Sequence, residues 1–203
     1  MTLVLASASP RRREILSALR IPFEVFVPEI EELTDGVPEE VVVENARRKA
    51  AAGLRAAESR AQAADRATVL GVDTEVVLDG RLLGKAGDRT EAREHLEALA
   101  GRTHTVLSGI VLQGAGPSAG EPVERSGVAL TEVTFRELDL TTLETYLASG
   151  EWQDRAGAYA IQGLGSILVE RVEGDFSNVV GLPVRLLLEL APELLGSPLN
   201  SNP

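Results

Sequence analysis

Cysteine is absent from the 203-residue chain, which excludes disulfides, thiolate nucleophiles and cysteine-ligated metals together. Histidine is scarce: His95 and His104 stand nine residues apart and do not form a zinc pair of the HExxH kind. The first is expected on a helix surface and the second at the start of a strand. Basic charge is in deficit, since 20 Lys and Arg against 31 Asp and Glu leave a net charge of −11. That balance argues against binding nucleic acid polymers or an anionic membrane, both of which rest on basic surfaces. A small polyanion held by a few local cations remains compatible with it. No apolar run approaches the roughly 18 residues of a membrane span. The apolar N-terminal stretch is too short for a secretory signal, and its positive charges follow it. A cytoplasmic protein is the resulting expectation.

What is present is ordinary for a globular chain: 44% hydrophobic and 25% charged residues. The length is ample for a core. With neither a repeat nor a long linker, a single domain over residues 1–203 is expected, with a frayed tail from about Gly196.

The chain opens on Leu3-Val4-Leu5-Ala6-Ser7-Ala8-Ser9-Pro10-Arg11-Arg12-Arg13. Leu3 to Ala6 is a buried strand. Ser9 suits a helix N-cap and Pro10 the first helical position, where its missing N–H costs nothing. Ile15, Leu16 and Leu19 then recur at helical spacing. Basic residues in a first turn oppose the helix dipole, so another purpose is indicated. A helix start with two hydroxyls and three guanidiniums suits phosphate.

Further along, a short strand over 23–27 stops at Pro28, and Glu29, Glu31, Glu32 and Asp35 crowd the next loop. A helix rich in Ala and Arg runs from Pro38 to about Ala64. Ala67 to Leu78 is strand-like, and Asp79-Gly80 turns it back onto Arg81-Leu82-Leu83. After the loop 84–87, Thr90 is expected to cap a helix stopped by Gly101. Strands over 105–112 and 128–138 flank a flexible loop, Gly114 to Gly120. Thr141 opens a short helix to about Ser149. A glycine-punctuated segment, 156–165, leads into a strand over 166–172, and Pro183 starts a final apolar helix. Alternating elements early and hairpins later predict an α/β fold, a mixed sheet with flanking helices and not a doubly wound one.

Two nucleotide motifs fail. Gly80-Arg81-Leu82-Leu83-Gly84-Lys85 is one residue short of a P-loop, and Ala86 stands where Ser or Thr would hold magnesium. No GxGxxG lies at a strand-to-helix junction. Asp73 stands out instead, because a carboxylate in a strand of Leu, Val and Thr is costly unless paired or metal-bound. It is a candidate base or metal ligand, and Glu32 could share a hard divalent cation with it. Lys49 and Lys85 matter if the fold brings them beside Arg11 to Arg13. Gln162 carries an amide able to pair with a base edge.

Together these stretches resemble the Maf family of nucleotide pyrophosphatases. The match spans nearly the whole chain. It runs through Leu5 to Arg12, Ile30-Glu31-Glu32, Ala46 to Ala50, Gly71-Val72-Asp73-Thr74, Gly84-Lys85 and Gly101-Arg102-Thr103-His104. It closes with Ala156 to Gly163 and Val180-Gly181-Leu182-Pro183. The resemblance implies hydrolysis of a nucleoside triphosphate to monophosphate and pyrophosphate with a divalent metal, magnesium or manganese. It also implies an elongated two-lobed fold akin to the inosine-triphosphate pyrophosphatases, and a possible homodimer. By this analogy Asp73 is the general base, Glu32 and Asp73 hold the metal, and Ser7, Ser9, Arg12, Lys49 and Lys85 line the phosphate site. Arg11, Thr74 and Gln162 look like the branch acting on dTTP and UTP, where the 7-methyl-GTP branch tends to carry Trp, Gln and Glu. Three positions depart from the family pattern. Ala86 replaces a proline beside Lys85, Ala160 a glycine and Ser108 a threonine. A nucleotide-binding regulator of cell division with little turnover is the rival expectation. Retention of Asp73, Glu32 and both lysines speaks against it, because binding alone needs no positioned base.

Overall fold

The computed structural model describes residues 2–59, 67–115 and 122–195. One seven-stranded mixed sheet forms its centre, in the order β2-β1-β3-β5-β6-β7, with a short β4 paired to β3. The strands are β1 (Thr2–Ala6), β2 (Phe23–Phe26), β3 (Ala67–Leu78), β4 (Arg81–Leu83), β5 (Thr103–Ala115), β6 (Pro122–Phe135) and β7 (Val169–Glu173). β1 runs parallel to both β2 and β3, whereas β3, β5, β6 and β7 pair antiparallel. The chain leaves β1 through helix α1 (Pro10–Ala18) to β2 on one side. It returns through α2 (Pro38–Glu58) to β3 on the other. A crevice at the carboxyl ends of strands where the order reverses is where such sheets bind ligands.

The period of two along β1 and β3 assigns the layers. Leu3, Leu5, Leu70 and Val72 pack with Leu16 of α1 and Leu187 of α6 (Val184–Leu190). Val4, Ala6 and Val69 pack on the opposite face with Ala46, Ala50 and Ala57 of α2. A second core covers the far end of the long strands. There Val76, Val106, Val133 and Phe135 meet α3 (Arg89–Leu99) and α4 (Leu140–Ser149) through Leu96, Leu99, Leu143 and Tyr146.

Helix α2 lies unusually near the sheet because two strand positions have no side chain. A Cβ on Gly71 would stand 2.0 Å from the Ala46 carbonyl oxygen, and one on Gly109 2.3 Å from that of Val42. Hence the small residues of α2 are a packing requirement as well as good helix formers.

Several boundaries shift from expectation. The Asp79-Gly80 turn is as anticipated, with φ 51° and 76°, the left-handed pair of a tight hairpin. The cap of α3 is Asp88, which accepts from the Thr90 and Glu91 amides, and not Thr90 itself. Likewise Asp139 accepts from Thr142 to cap α4. Cross-strand pairing carries β5 and β6 beyond their apolar stretches, to Ala115 and Pro122. The anticipated loop thus begins later than Gly114, and its residues 116–120 lie outside the described residues. The end of the Ala-rich stretch, 60–64, and the tail from 196 lie outside them too. A 3₁₀ turn, Gly163–Leu168, occupies the start of the strand expected from 166, so β7 begins at Val169. Helix α5 (Phe176–Val180) was not anticipated; at five residues it is too short to show a helical period. Among the described residues no helix is long and apolar enough to cross a membrane.

Gly71→Ala must push α2 off the sheet, at a cost of about 3 kcal/mol. Gly84 has open space around it, so Gly84→Ala should leave thermal stability unchanged. Thermal denaturation of both variants checks the contrast, and equal melting temperatures would contradict the packing argument.

Candidate active site

The close approach of α2 to β3 builds the acidic end of a cleft. Asp73 follows Val69 and Gly71 on the face of β3 that meets α2. Asn45 and Lys49, four apart, share one side of that helix. Lys49 Nζ lies 2.6 Å from Asp73 Oδ1 and 2.7 Å from Glu32 Oε1. Asn45 Nδ2 donates to Asp73 Oδ2 at 3.0 Å. The same amide pins the Glu32 loop, accepting from the Leu33 amide and donating to the Leu33 carbonyl. Both oxygens of a buried carboxylate are therefore held by donors from one helix.

Arg12 organises the floor. It is buried, and each of its nitrogens has a protein acceptor. Nε donates to Gly181 O at 2.8 Å, Nη1 to Ser7 Oγ at 2.9 Å and Nη2 to Thr74 Oγ1 at 3.2 Å. Thr74 Oγ1 in turn shares a hydrogen bond with Ser108 Oγ. Burial lowers the Arg12 pKa, while Asp73, Glu32 and Glu75 oppose the shift. Ser9 sits at the N-cap of α1 as expected, yet its side chain makes no capping bond. Its hydroxyl is left to the cleft.

These groups surround a cavity of about 530 Å³ that Arg11 and Lys85 also line. Every sequence-predicted site residue borders it except Gln162. Gln162 is exposed at the head of the 3₁₀ turn, so the structure does not bring it to the others. Lys85, followed by Ala86, is steadied by a β-bridge to Ala156. Gly157 donates to the Leu83 and Gly84 carbonyls beside it.

Sequence reasoning missed four neighbours. Asn45 is legible as the residue one turn before Lys49. Glu75 is legible as the residue two beyond Asp73, on the same strand face. Gln153 and Arg155 carry no local signal. Glu75 lines the cavity with a buried Oε2 that has no hydrogen-bond partner. Burial first, then the charges of Asp73 and Glu32, push its carboxyl up to about 8. His104, on β5 as anticipated, instead bonds Tyr159 Oη through Nε2 at 2.8 Å, edge-on to Phe135 and Tyr159. Burial brings its pKa down to about 4, so it is neutral near pH 7 and serves packing. His95 is half-buried on α3 and not on its open face.

Among the described residues, no three Asp, Glu, His or Cys side chains gather closely enough to hold a metal unaided. The donors nevertheless suit a hard cation. The two carboxylates around Lys49 already accept one positive charge between them, and the unpartnered Glu75 oxygen lies near. Magnesium commonly takes one or two carboxylates and completes its shell with substrate phosphates and water.

The model of the Maf-like protein family matches residues 2–194. A dTTP/UTP pyrophosphatase of Thermococcus gammatolerans is 46% identical, covering 93% of this chain and 94% of its own. One from Caldanaerobacter subterraneus subsp. tengcongensis is 43% identical over 97% and 90%, and one from Bacillus cytotoxicus 41% over 92% and 93%. Among solved structures, the Ham1 protein of Staphylococcus aureus superposes with a TM-score of 0.37 at 19% identity. That match covers 66% of this chain and 72% of Ham1, too distant to build on.

Because the folded value of Glu75 lies above its ordinary 4.5, the native state binds its proton more tightly than the unfolded chain does. Native stability is therefore lost as pH rises from about 4.5 towards 8. In chelator, wild type should lose melting temperature across this window and Glu75→Gln should lose less. Parallel pH profiles would contradict the burial of an unpaired carboxyl.

Proposed function

Since the chain belongs to the Maf-like protein family, we propose that it hydrolyses dTTP and UTP, with modified pyrimidine triphosphates, to the monophosphate and pyrophosphate. The observation that carries this is the polarity of one cavity. Asp73 is fixed by Lys49 and Asn45 at one end, and Arg11 and Lys85 line the same space without an ion pair among the described residues. Relatives of 41–46% identity over nearly the whole chain are dTTP/UTP pyrophosphatases, which supports the base preference.

In this reading Asp73 takes a proton from water as the water oxygen bonds to the α-phosphorus. The bond from that phosphorus to its bridging oxygen breaks, and pyrophosphate leaves with the electron pair. Lys49 and Asn45 keep the Asp73 carboxylate aimed, and a fixed dipolar site costs no reorganisation during the reaction. Glu32 and Asp73 would hold the divalent cation, magnesium or manganese, which neutralises phosphate charge when bound. Arg12 keeps Ser7 and Thr74 in place along the phosphate path. Gln162, outside the cavity wall, has no part in this reading. The acidic surface supports free nucleotides as substrates, not polymers, in a cytoplasmic setting, with the activity held in one domain.

Pyrophosphate release from a panel of triphosphates with magnesium tests the proposal. Wild type should favour dTTP and UTP, and Asp73→Asn should lower kcat by roughly 10²–10⁴-fold with little change in KM. Tight nucleotide binding without release would favour a regulator, and full activity in a folded Asp73→Asn protein would remove the base.

A further inference from the structure

Arg155 was absent from the expected site, yet it borders the same cavity as Arg11. Its position is built, not incidental. Arg155 Nε donates to the Glu151 carbonyl at 2.6 Å. The Glu151 carboxylate is itself held by the Leu164 and Gly165 amides, each at 3.1 Å. On the other side, the Lys85–Ala156 bridge fastens the next residue to the Lys85 loop. Two non-glycine residues nearby, Asp154 and Ala158, take left-handed backbone at φ 56°. Such conformations cost free energy and persist where the surroundings enforce them, often at binding sites.

Three backbone anchors thus present a half-buried guanidinium whose terminal nitrogens have no protein acceptor among the described residues. Neither Arg11 nor Arg155 has a carboxylate within ion-pair distance among those residues, although Glu14 and Asp154 influence Arg11 from farther away. The two arginines feel each other. Burial and then Arg155 bring Arg11 down to about 10, which leaves Arg11 charged at neutral pH. Two like charges held in one cavity destabilise the ligand-free protein unless an anion comes between them. A pyrimidine base is neutral and could not relieve that repulsion, whereas a terminal phosphate dianion matches planar guanidinium donors. Arg12, by contrast, already spends each nitrogen on the protein.

The geometry points to Arg155 and Arg11 as the receptor for the terminal phosphate of the triphosphate, and so for the departing pyrophosphate. This rests on the proposed pyrophosphatase reading and deepens it. Lys85, one bridge away, serves the phosphates nearer Asp73. The receptor distinguishes triphosphate from diphosphate by charge at the tail.

The test is calorimetric titration of the full chain with pyrophosphate and, separately, with UMP, for wild type, Arg155→Leu and Arg155→Lys. UTP and UDP kinetics run in parallel. Loss of a charged hydrogen-bond pair should weaken pyrophosphate about tenfold or more in Arg155→Leu, with UMP affinity unchanged. UTP should lose its advantage over UDP, and Arg155→Lys should recover most of both losses. Should Arg155→Leu not fold, Arg11→Leu must show the same selective loss. Unchanged pyrophosphate affinity, or weakening confined to UMP, would overturn the assignment. A wild type that binds pyrophosphate but hydrolyses no triphosphate would sink the enzymatic reading and leave the anion receptor standing.

Discussion

Everything in the cleft depends on one buried ammonium. Lys49 bridges Asp73 and Glu32 at 2.6 and 2.7 Å, and it can do so because Gly71 lets α2 lie against β3. Taking such charges out of water is expensive, and their attraction offsets the cost only when geometry and hydrogen bonds are good. Asn45 supplies the missing bond to Asp73 and ties in the Glu32 loop. Breaking this set by removing one partner is the kind of change that costs about 3–5 kcal/mol. Backbone packing, ion pairing and the aim of the carboxylate are therefore one constraint.

From that constraint the cavity acquires two ends. Carboxylates face α2 at one, with Glu75 as an extra acid whose burial is left unrelieved. Arg11 and Arg155 line the other, with Arg12 as the structural brace beneath. A substrate with a polyanionic tail would relieve the second end, and a divalent cation at Glu32 and Asp73 would relieve the first. Two unfavourable halves in the free protein become complementary in the complex.

The parts of this picture legible in the sequence are those set locally. β3 ends where Asp79-Gly80 demands a turn, and Asp73 is conspicuous because a carboxylate interrupts a β-branched strand. Pro10 marks the start of α1 for the same kind of reason. Lys49 was ambiguous, since an alanine-rich helix does not announce which face a glycine in a distant strand will allow to be buried. Asn45 and Glu75 went unread, although periods of 3.6 and 2 set them beside Lys49 and Asp73. Arg155 could not be read at all, because its place comes from a bridge between segments about 70 residues apart. Gln162 is the opposite case: its motif is clear in the sequence, and the fold leaves it exposed at the head of the 3₁₀ turn.

The proposed reaction divides labour: Asp73 delivers water to the α-phosphorus, and Arg11 and Arg155 retain pyrophosphate. Hydrolysis of UTP in heavy-oxygen water, with mass analysis of both products, tests it most directly. The heavy oxygen is expected in UMP and none in pyrophosphate. Label in pyrophosphate, or UDP and orthophosphate as the products, would contradict it.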